Sequence, residues 1–317
     1  MITKRIPLWE GREDVALYTF LAEMDPMILG EKEKLPAMIV CPGGAYMFCA
    51  LGNEGDAVAM SFASAGYQTF VLQYTVGTTC GENDCKYPAQ LLDLGKAMMV
   101  IREHAEEWYV DVERISIVGF SAGAHLCGTY ATRWHEPLLS EHFGVDASYF
   151  KPLAAILGYG LLDYAYQEKY NATQPPNPVL QASNVKFFGT PVPTKEQLEE
   201  VSPYLHVTEH TPPIFMMHAA NDTMVPVTHS IHMAQALTDH KVPYELHIFQ
   251  NGEHGFATGA PMGASVYRAD KRRACGAWMD LAKTWLLHLV APETQEHDIS
   301  SADFFEGDNA TPPPFFV

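Results

Sequence analysis

Apolar residues along this chain come in two rhythms. Short continuous runs read as buried strands, and longer stretches with apolar positions three and four apart read as amphipathic helices. Ile2–Trp9 and Ala16–Leu21 flank a polar turn at Glu10–Asp14, which predicts a leading antiparallel hairpin. Met24 to Leu35 is a charged connection, and Ala37–Cys41 is the first fully apolar strand. Asn53 is placed to cap a helix over Glu54–Ala65, with Gly66 ending it. Gln68–Tyr74 is the next strand, Val76–Tyr87 a loop, and Pro88 opens a helix. That helix carries Leu91, Leu94, Ala97, Met98 and Ile101 on one face and ends near Trp108. Ile115–Val118 is a strand that runs through a glycine turn into a helix containing Leu126 and Tyr130. Further strands fall at Leu153–Tyr159, Pro212–His218 and Tyr244–Phe249, with a helix at Ser230–His240. Lys271–Leu289 closes the series as an amphipathic helix with Cys275, Trp278, Leu281, Trp285 and Leu289 on one side.

Strands alternating with helices imply right-handed crossovers and a mostly parallel, doubly wound central sheet with helices on both faces. Two stretches break the alternation. Residues 164–211 are rich in Pro and Asn and show one short helical piece, Thr194–Val201. They predict an insertion over the C-terminal edge of the sheet, where folds of this class keep their sites. Residues 291–317 are polar and acidic and end Pro-Pro-Pro-Phe-Phe-Val, a tail expected to dock through its phenylalanines on its own body or on a neighbour. The organisation expected is one domain over 1–290 followed by that tail.

Charge narrows the partners. Thirty-eight acidic against 20 basic residues give a formal net charge of −18, which repels nucleic acid and anionic membrane surfaces. A neutral or weakly polar small molecule fits better, and solubility alone explains the acidity. Lys4 and Arg5 are not followed by the apolar core of a secretory signal, and no apolar run is long enough to span a membrane. The location expected is therefore cytoplasmic, with the six cysteines reduced. Cys80 and Cys85 lack the second pair that a structural zinc site needs, so neither a metal nor a disulfide is expected there.

The chemistry starts at Gly119-Phe120-Ser121-Ala122-Gly123, a G-x-S-x-G set between a strand and a helix. That context makes a nucleophile elbow, with Ser121 on a sharp turn at a helix N-terminus. A serine needs a base. His254, between strand Tyr244–Phe249 and Phe256 on a glycine-flanked loop, is the candidate; His125, one turn after Ser121, is read as structural. The base needs a carboxylate to orient it. Asp222 follows the strand before the one that leads to His254, and Asp163 is its rival. A tetrahedral intermediate needs N–H donors, for which the amide of Ala122 and the Gly43-Gly44 loop after the first buried strand are the candidates. His218, Asp222, His229 and His232 could suggest a metal, but they straddle a strand, a loop and a helix, so no metal site is expected.

Four motifs in order, Cys41-Pro42-Gly43-Gly44-Ala45-Tyr46, Gly119-Phe120-Ser121-Ala122-Gly123-Ala124-His125-Leu126, Asn221-Asp222-Thr223-Met224-Val225-Pro226 and Gly252-Glu253-His254-Gly255-Phe256, resemble the α/β-hydrolase esterase/lipase superfamily. Within it they are most similar to the carbohydrate-esterase-like, or acetylxylan esterase, branch. The resemblance spans roughly residues 36–290 and leaves out the tail. It implies an α/β-hydrolase fold, a Ser121–His254–Asp222 triad, an acyl-enzyme, and no cofactor. It implies a short acyl group, acetyl, on a sugar or xylo-oligosaccharide as the small-molecule substrate. Tyr46 and Phe120 are candidate pocket walls, as are Phe48 and the 164–211 insertion. Arylformamidases and general carboxylesterases share the Ser-Ala-Gly-Ala-His-Leu run, so both stay open, as do a catalytically inactive binding module and homo-oligomerisation.

Overall fold

The computed structural model describes residues 1–23, 34–81, 85–259 and 273–290. The 291–317 tail, most of the Met24–Leu35 connection and the first two residues of the expected closing helix lie outside the described residues. Eight strands form one sheet in the order β1-β2-β4-β3-β5-β6-β7-β8. They are β1 (Arg5–Trp9), β2 (Arg12–Phe20), β3 (Leu35–Cys41), β4 (Gln68–Gln73), β5 (Val110–Phe120), β6 (Ala155–Gly158), β7 (Ile214–Ala219) and β8 (Tyr244–Phe249). β1 and β2 are antiparallel, and all pairings from β4 through β8 are parallel. The central strands β3, β6 and β7 are buried almost end to end, which is why they read as unbroken apolar runs rather than alternating ones.

Helices cover both faces: α1 (Ala57–Ala63), α2 (Ala89–Glu103), α3 (Ala122–Arg133), α4 (Pro137–Phe143), α5 (Tyr164–Asn171), α6 (Pro178–Phe188), α7 (Lys195–Glu200), α8 (Thr228–Asp239) and α9 (Trp278–Val290). Successive strand residues point to opposite faces, so the core divides in two. Ile39, Cys41, Ile117 and Leu157 join the layer under α2, α3 and α8. Met38, Val40, Val118, Phe120 and Ile156 join the layer under α1 and α9, closed by the fully buried Trp278. Replacing such an aromatic by alanine typically costs about 3–5 kcal/mol.

Four local expectations change. The segment before α1 is a π-helical turn, Leu51–Asp56, so Asn53 lies inside it and caps nothing. The helix opened by Pro88 ends at Glu103, and a turn leads on to Trp108. The 164–211 insertion holds α5, α6 and α7, not one helix. Cys80 and Cys85 form a disulfide, with Cα atoms 5.9 Å apart, inside the loop that packs on α6.

Candidate active site

Register brings the pieces together. Cys41 pairs with Gly119, and Phe120 pairs with Gly158, so the loop after β3 emerges beside the turn after β5. At that turn Ser121 holds φ 53° and ψ −117°, a conformation that costs a non-glycine residue on the order of 1–3 kcal/mol. The turn closes only because its flanks lack side chains. A Cβ on Gly119 would stand 2.1 Å from the Gly123 carbonyl oxygen, and one on Gly123 would stand 1.9 Å from that of Cys41. Ser121 thereby sits at the N-terminus of α3, where unpaired amides and the helix dipole favour negative charge.

Asp222 follows β7 by a few residues and His254 follows β8, and the strands are neighbours, with Ala219 paired to Phe249. His254 Nδ1 lies 2.7 Å from Asp222 Oδ2, and its Nε2 lies 2.9 Å from Ser121 Oγ. With Nδ1–H donating to the carboxylate, Nε2 is left to accept the serine proton. The other oxygen, Asp222 Oδ1, accepts the Met224 and Val225 amides at 2.9 Å each. Burial pushes the Asp222 carboxyl up, but the His218 and His254 imidazoles and the Val225 amide outweigh it and hold it well below the usual carboxylate range. His218 Nε2 donates to the Val225 carbonyl at 2.8 Å and lies 3.5 Å from Asp222 Oδ2. Asn221 Oδ1 accepts the Gly252 and Glu253 amides at 3.0 Å each, which ties the histidine loop to the carboxylate loop.

The loop after β3 differs from expectation in one donor. The Gly43 amide donates to Glu54 Oε2 at 2.7 Å, so it is not the donor for an oxyanion. Gly43 matters for room: a Cβ there would meet Glu54 Oε2 at 2.6 Å and Ser121 Cβ at 2.9 Å. Gly44 turns the chain at φ 136°, and Ala45 and Tyr46 follow at φ 52° and 56°. Among the described residues the amides of Gly44, Ala45 and Ala122 meet no acceptor. Ala45 and Ala122 border the same cavity as Ser121.

Glu54 is the residue that sequence reasoning missed. It is buried, and its Oε1 accepts the Tyr159 hydroxyl at 2.8 Å. The same hydroxyl oxygen accepts the Ala257 amide at 3.0 Å, and the Tyr159 ring meets the His254 ring edge-on at 5.1 Å. One carboxylate thus joins the β3 loop to the loop that carries the histidine. The signal was available: Glu54, Val58 and Phe62 recur four apart, so the charge lies on the stripe that faces the core.

Above Ser121 lies a cavity of about 50 Å³ bordered by Ala45, Tyr46, Ala122, Leu161, Tyr164 and Val225. Tyr46 forms part of its wall, stacked on Phe187 of α6 at 4.4 Å and hydrogen-bonded through its hydroxyl to His125 Nδ1. Phe120 forms none of it. The two-residue period of β5 turns its ring to the opposite layer, where it is fully buried against Tyr159 and Trp278. Phe48 is 53% exposed and does not border the cavity either. Asp163, the rival carboxylate, caps α5 through Tyr166 N at 2.9 Å and meets His232 Nδ1 at 2.8 Å. His125 is buried, with Nε2 donating to the Val201 carbonyl at 2.6 Å, and serves the scaffold. Among the described residues no cluster of three or more His, Cys, Asp or Glu is arranged to hold a metal ion. No helix among them is long and apolar enough to cross a membrane.

A parallel sheet flanked by helices, with a serine on a strand–turn–helix elbow and the acid and histidine after the last two strands, defines an α/β-hydrolase of the esterase/lipase superfamily. The BD-FAE family matches residues 27–237, and the chain belongs to that family, on the carbohydrate-esterase-like side of the superfamily. It is 31% identical over 250 residues to endo-1,4-beta-xylanase B of Butyrivibrio fibrisolvens, covering 78% of this chain and 37% of that protein. A carboxylesterase of Lactobacillus plantarum superposes with a TM-score of 0.75 at 26% identity, over 92% of this chain and all of that one. An acetyl ester-xyloside bifunctional hydrolase of Caldicellulosiruptor lactoaceticus superposes with a TM-score of 0.66 at 28% identity, over 88% and 96% of the two chains. The chain spans less than half the length of the curated relatives it matches.

Proposed function

We propose that this chain is a serine esterase that removes short acyl groups, acetyl above all, from sugars or xylo-oligosaccharides. The observation that carries the reading is the Ser121–His254–Asp222 relay opening into a cavity of about 50 Å³. A space of that size has room for a few water-sized groups, which suits a short acyl group such as acetyl. Relatives named for xyloside, xylan and carboxylic ester substrates support the same class.

In this mechanism Ser121 Oγ attacks the ester carbonyl while His254 Nε2 takes its proton. Asp222 holds the imidazole tautomer and stabilises the imidazolium. The carbonyl oxygen, now negative, is received by the amides of Ala122 and of the Gly44–Ala45 turn. The intermediate collapses, the C–O bond to the alcohol breaks, and His254 returns the proton to the leaving oxygen. Water, deprotonated by His254, then attacks the acyl-serine and releases the acid. Side chains, backbone amides and water carry every step of this scheme.

A 4-nitrophenyl ester series from acetate to octanoate, run beside acetylated xylo-oligosaccharides and N-formylkynurenine, tests the reading. Acetate should exceed butyrate by at least about tenfold in kcat/KM, since each methylene that does not fit costs about 1–3 kcal/mol. Preference for the formamide would make the chain an arylformamidase. Failure of a fluorophosphonate to label Ser121 in folded protein would make it a binding module.

A further inference from the structure

The cavity at Ser121 does not end at the serine. Glu168, Asn171, Leu180, Asn184 and Met224 border it and also border an outer basin of about 450 Å³ between α5 and α6. The size is that of a small-ligand pocket. Beyond the shared residues the basin is walled by amides, Gln174, Asn177 and Gln181, and by the rings of Pro175, Pro176 and Pro191. Among the described residues no lysine or arginine borders it, and Glu168 is the one charged side chain that does.

The amides are held in defined orientations. Asn171 Oδ1 accepts from Gln167 Nε2 at 2.8 Å, which leaves the Asn171 NH2 as a donor. Asn177 Oδ1 caps α6 by accepting the Val179 amide at 3.0 Å, which leaves its NH2 likewise. Asn184 Nδ2 donates to Glu168 Oε1 at 3.2 Å, which leaves the Asn184 carbonyl and the second Glu168 oxygen as acceptors. A site that offers both oriented donors and oriented acceptors pairs with hydroxyls, which are both. Proline rings offer flat C–H surface to the C–H faces of a pyranose. A lone carboxylate with no cation beside it disfavours a second negative charge.

We propose that this basin is the binding site for the alcohol portion of the ester, a neutral polyhydroxylated chain of one to two pyranose rings, with Glu168 at the junction turning uronate-bearing chains away. The inference rests on the esterase reading of Ser121. A basin of about 450 Å³ is of the size that takes a small ligand, and one to two rings fit that class. Binding there spends remote contacts on placing the acetyl carbonyl over Ser121.

The test compares 4-nitrophenyl acetate, monoacetyl xylobiose and a monoacetyl disaccharide carrying glucuronate, in wild type and in a Gln174→Leu/Gln181→Leu variant. Both glutamines border only the outer basin. The variant should lose about tenfold in kcat/KM on acetyl xylobiose, chiefly through KM, and keep its rate on 4-nitrophenyl acetate. Wild type should prefer the neutral disaccharide to the glucuronate, and Glu168→Gln should narrow that gap. Equal losses on both esters in the variant, or no preference for the neutral sugar, would overturn the basin's role while leaving the esterase intact. Absence of turnover on 4-nitrophenyl acetate in wild type would instead remove the esterase reading beneath it.

Discussion

Ser121, Asp222 and His254 stand just past the ends of β5, β7 and β8, whereas Glu168, Asn171, Leu180 and Asn184 stand on α5 and α6. The first set is placed by sheet register, where one slipped residue would turn every side chain to the other face. The second set is placed by a handful of polar pins. Asp163 caps α5 and reaches His232. His229 Nδ1 accepts the Leu162 and Asp163 amides at 3.2 and 3.0 Å, and its Nε2 donates to Gln167 Oε1 at 2.8 Å. Gln167 passes on to the Met224 carbonyl at 3.1 Å, and His125 holds the Val201 carbonyl. The half of the site that holds Ser121, His254 and Asp222 is thus built on a rigid lattice, and the half proposed to meet the alcohol is hung from it.

Exchanging the two carboxylates gives the widest separation. Asp222→Asn should reduce kcat on 4-nitrophenyl acetate on the order of 10⁴-fold, because the imidazole loses its tautomer. Asp163→Asn should stay within a few fold of wild type in the same assay and change stability little, because asparagine caps a helix as well as aspartate does and only the contact with the half-exposed His232 is weakened. The reverse pattern would hand the acid role to Asp163.

Acid should loosen the helical half first. Burial lowers the His125 pKa from 6.5 to about 4, against a smaller opposing pull from the Val201 carbonyl. Burial, together with neighbouring His218 and His232, lowers that of His229 from 6.5 to about 3. The unfolded chain therefore takes both protons before the folded one does. Each neutral histidine contributes in full above pH 6.5, and the contribution falls away as pH drops toward 4 and 3, with about 2 kcal/mol per residue gone by pH 5. Thermal melts at pH 7 and 5 should show the loss, and amide exchange should rise in 162–202 ahead of β5 and β7. Uniform exchange across both regions would erase the distinction.

Glu54→Gln addresses the lattice from its underside. An amide in place of the carboxylate keeps one acceptor and turns the other toward the Gly43 N–H or the Tyr159 hydroxyl as a donor. The β3 loop and the histidine loop should then lose their common tie, with kcat down about 10- to 100-fold and KM little changed. A variant with altered KM and normal kcat would place Glu54 with the substrate pocket instead.

What could be read from the chain follows the same division. Strand runs, the loops after them and their order were legible because a parallel sheet turns apolar runs and strand ends directly into geometry. Which glycine amide faces outward was not: only the buried Glu54 decides that Gly43 is spoken for. Phe120 misled because a pocket wall and a core aromatic look alike by residue type, although its parity with Val118 assigns it to the far layer. α5 carries mostly polar residues, so its periodicity was silent. For α6 the Asn177-Pro178 start was a legible cap and first-turn pair lost among the surrounding prolines. The Cys80–Cys85 bond was passed over because spacing alone does not bring two cysteines together.

Two of the helices over the site begin on their own capping residues, Asp163 for α5 and Asn177 for α6, rather than borrowing partners from the sheet. That makes 172–193 a natural unit for recombination. A library that shuffles this stretch between related chains, with crossovers placed after Asn171 and before Thr194, would vary the proposed alcohol site while every progeny inherits Ser121, Asp222 and His254 at the same spacing.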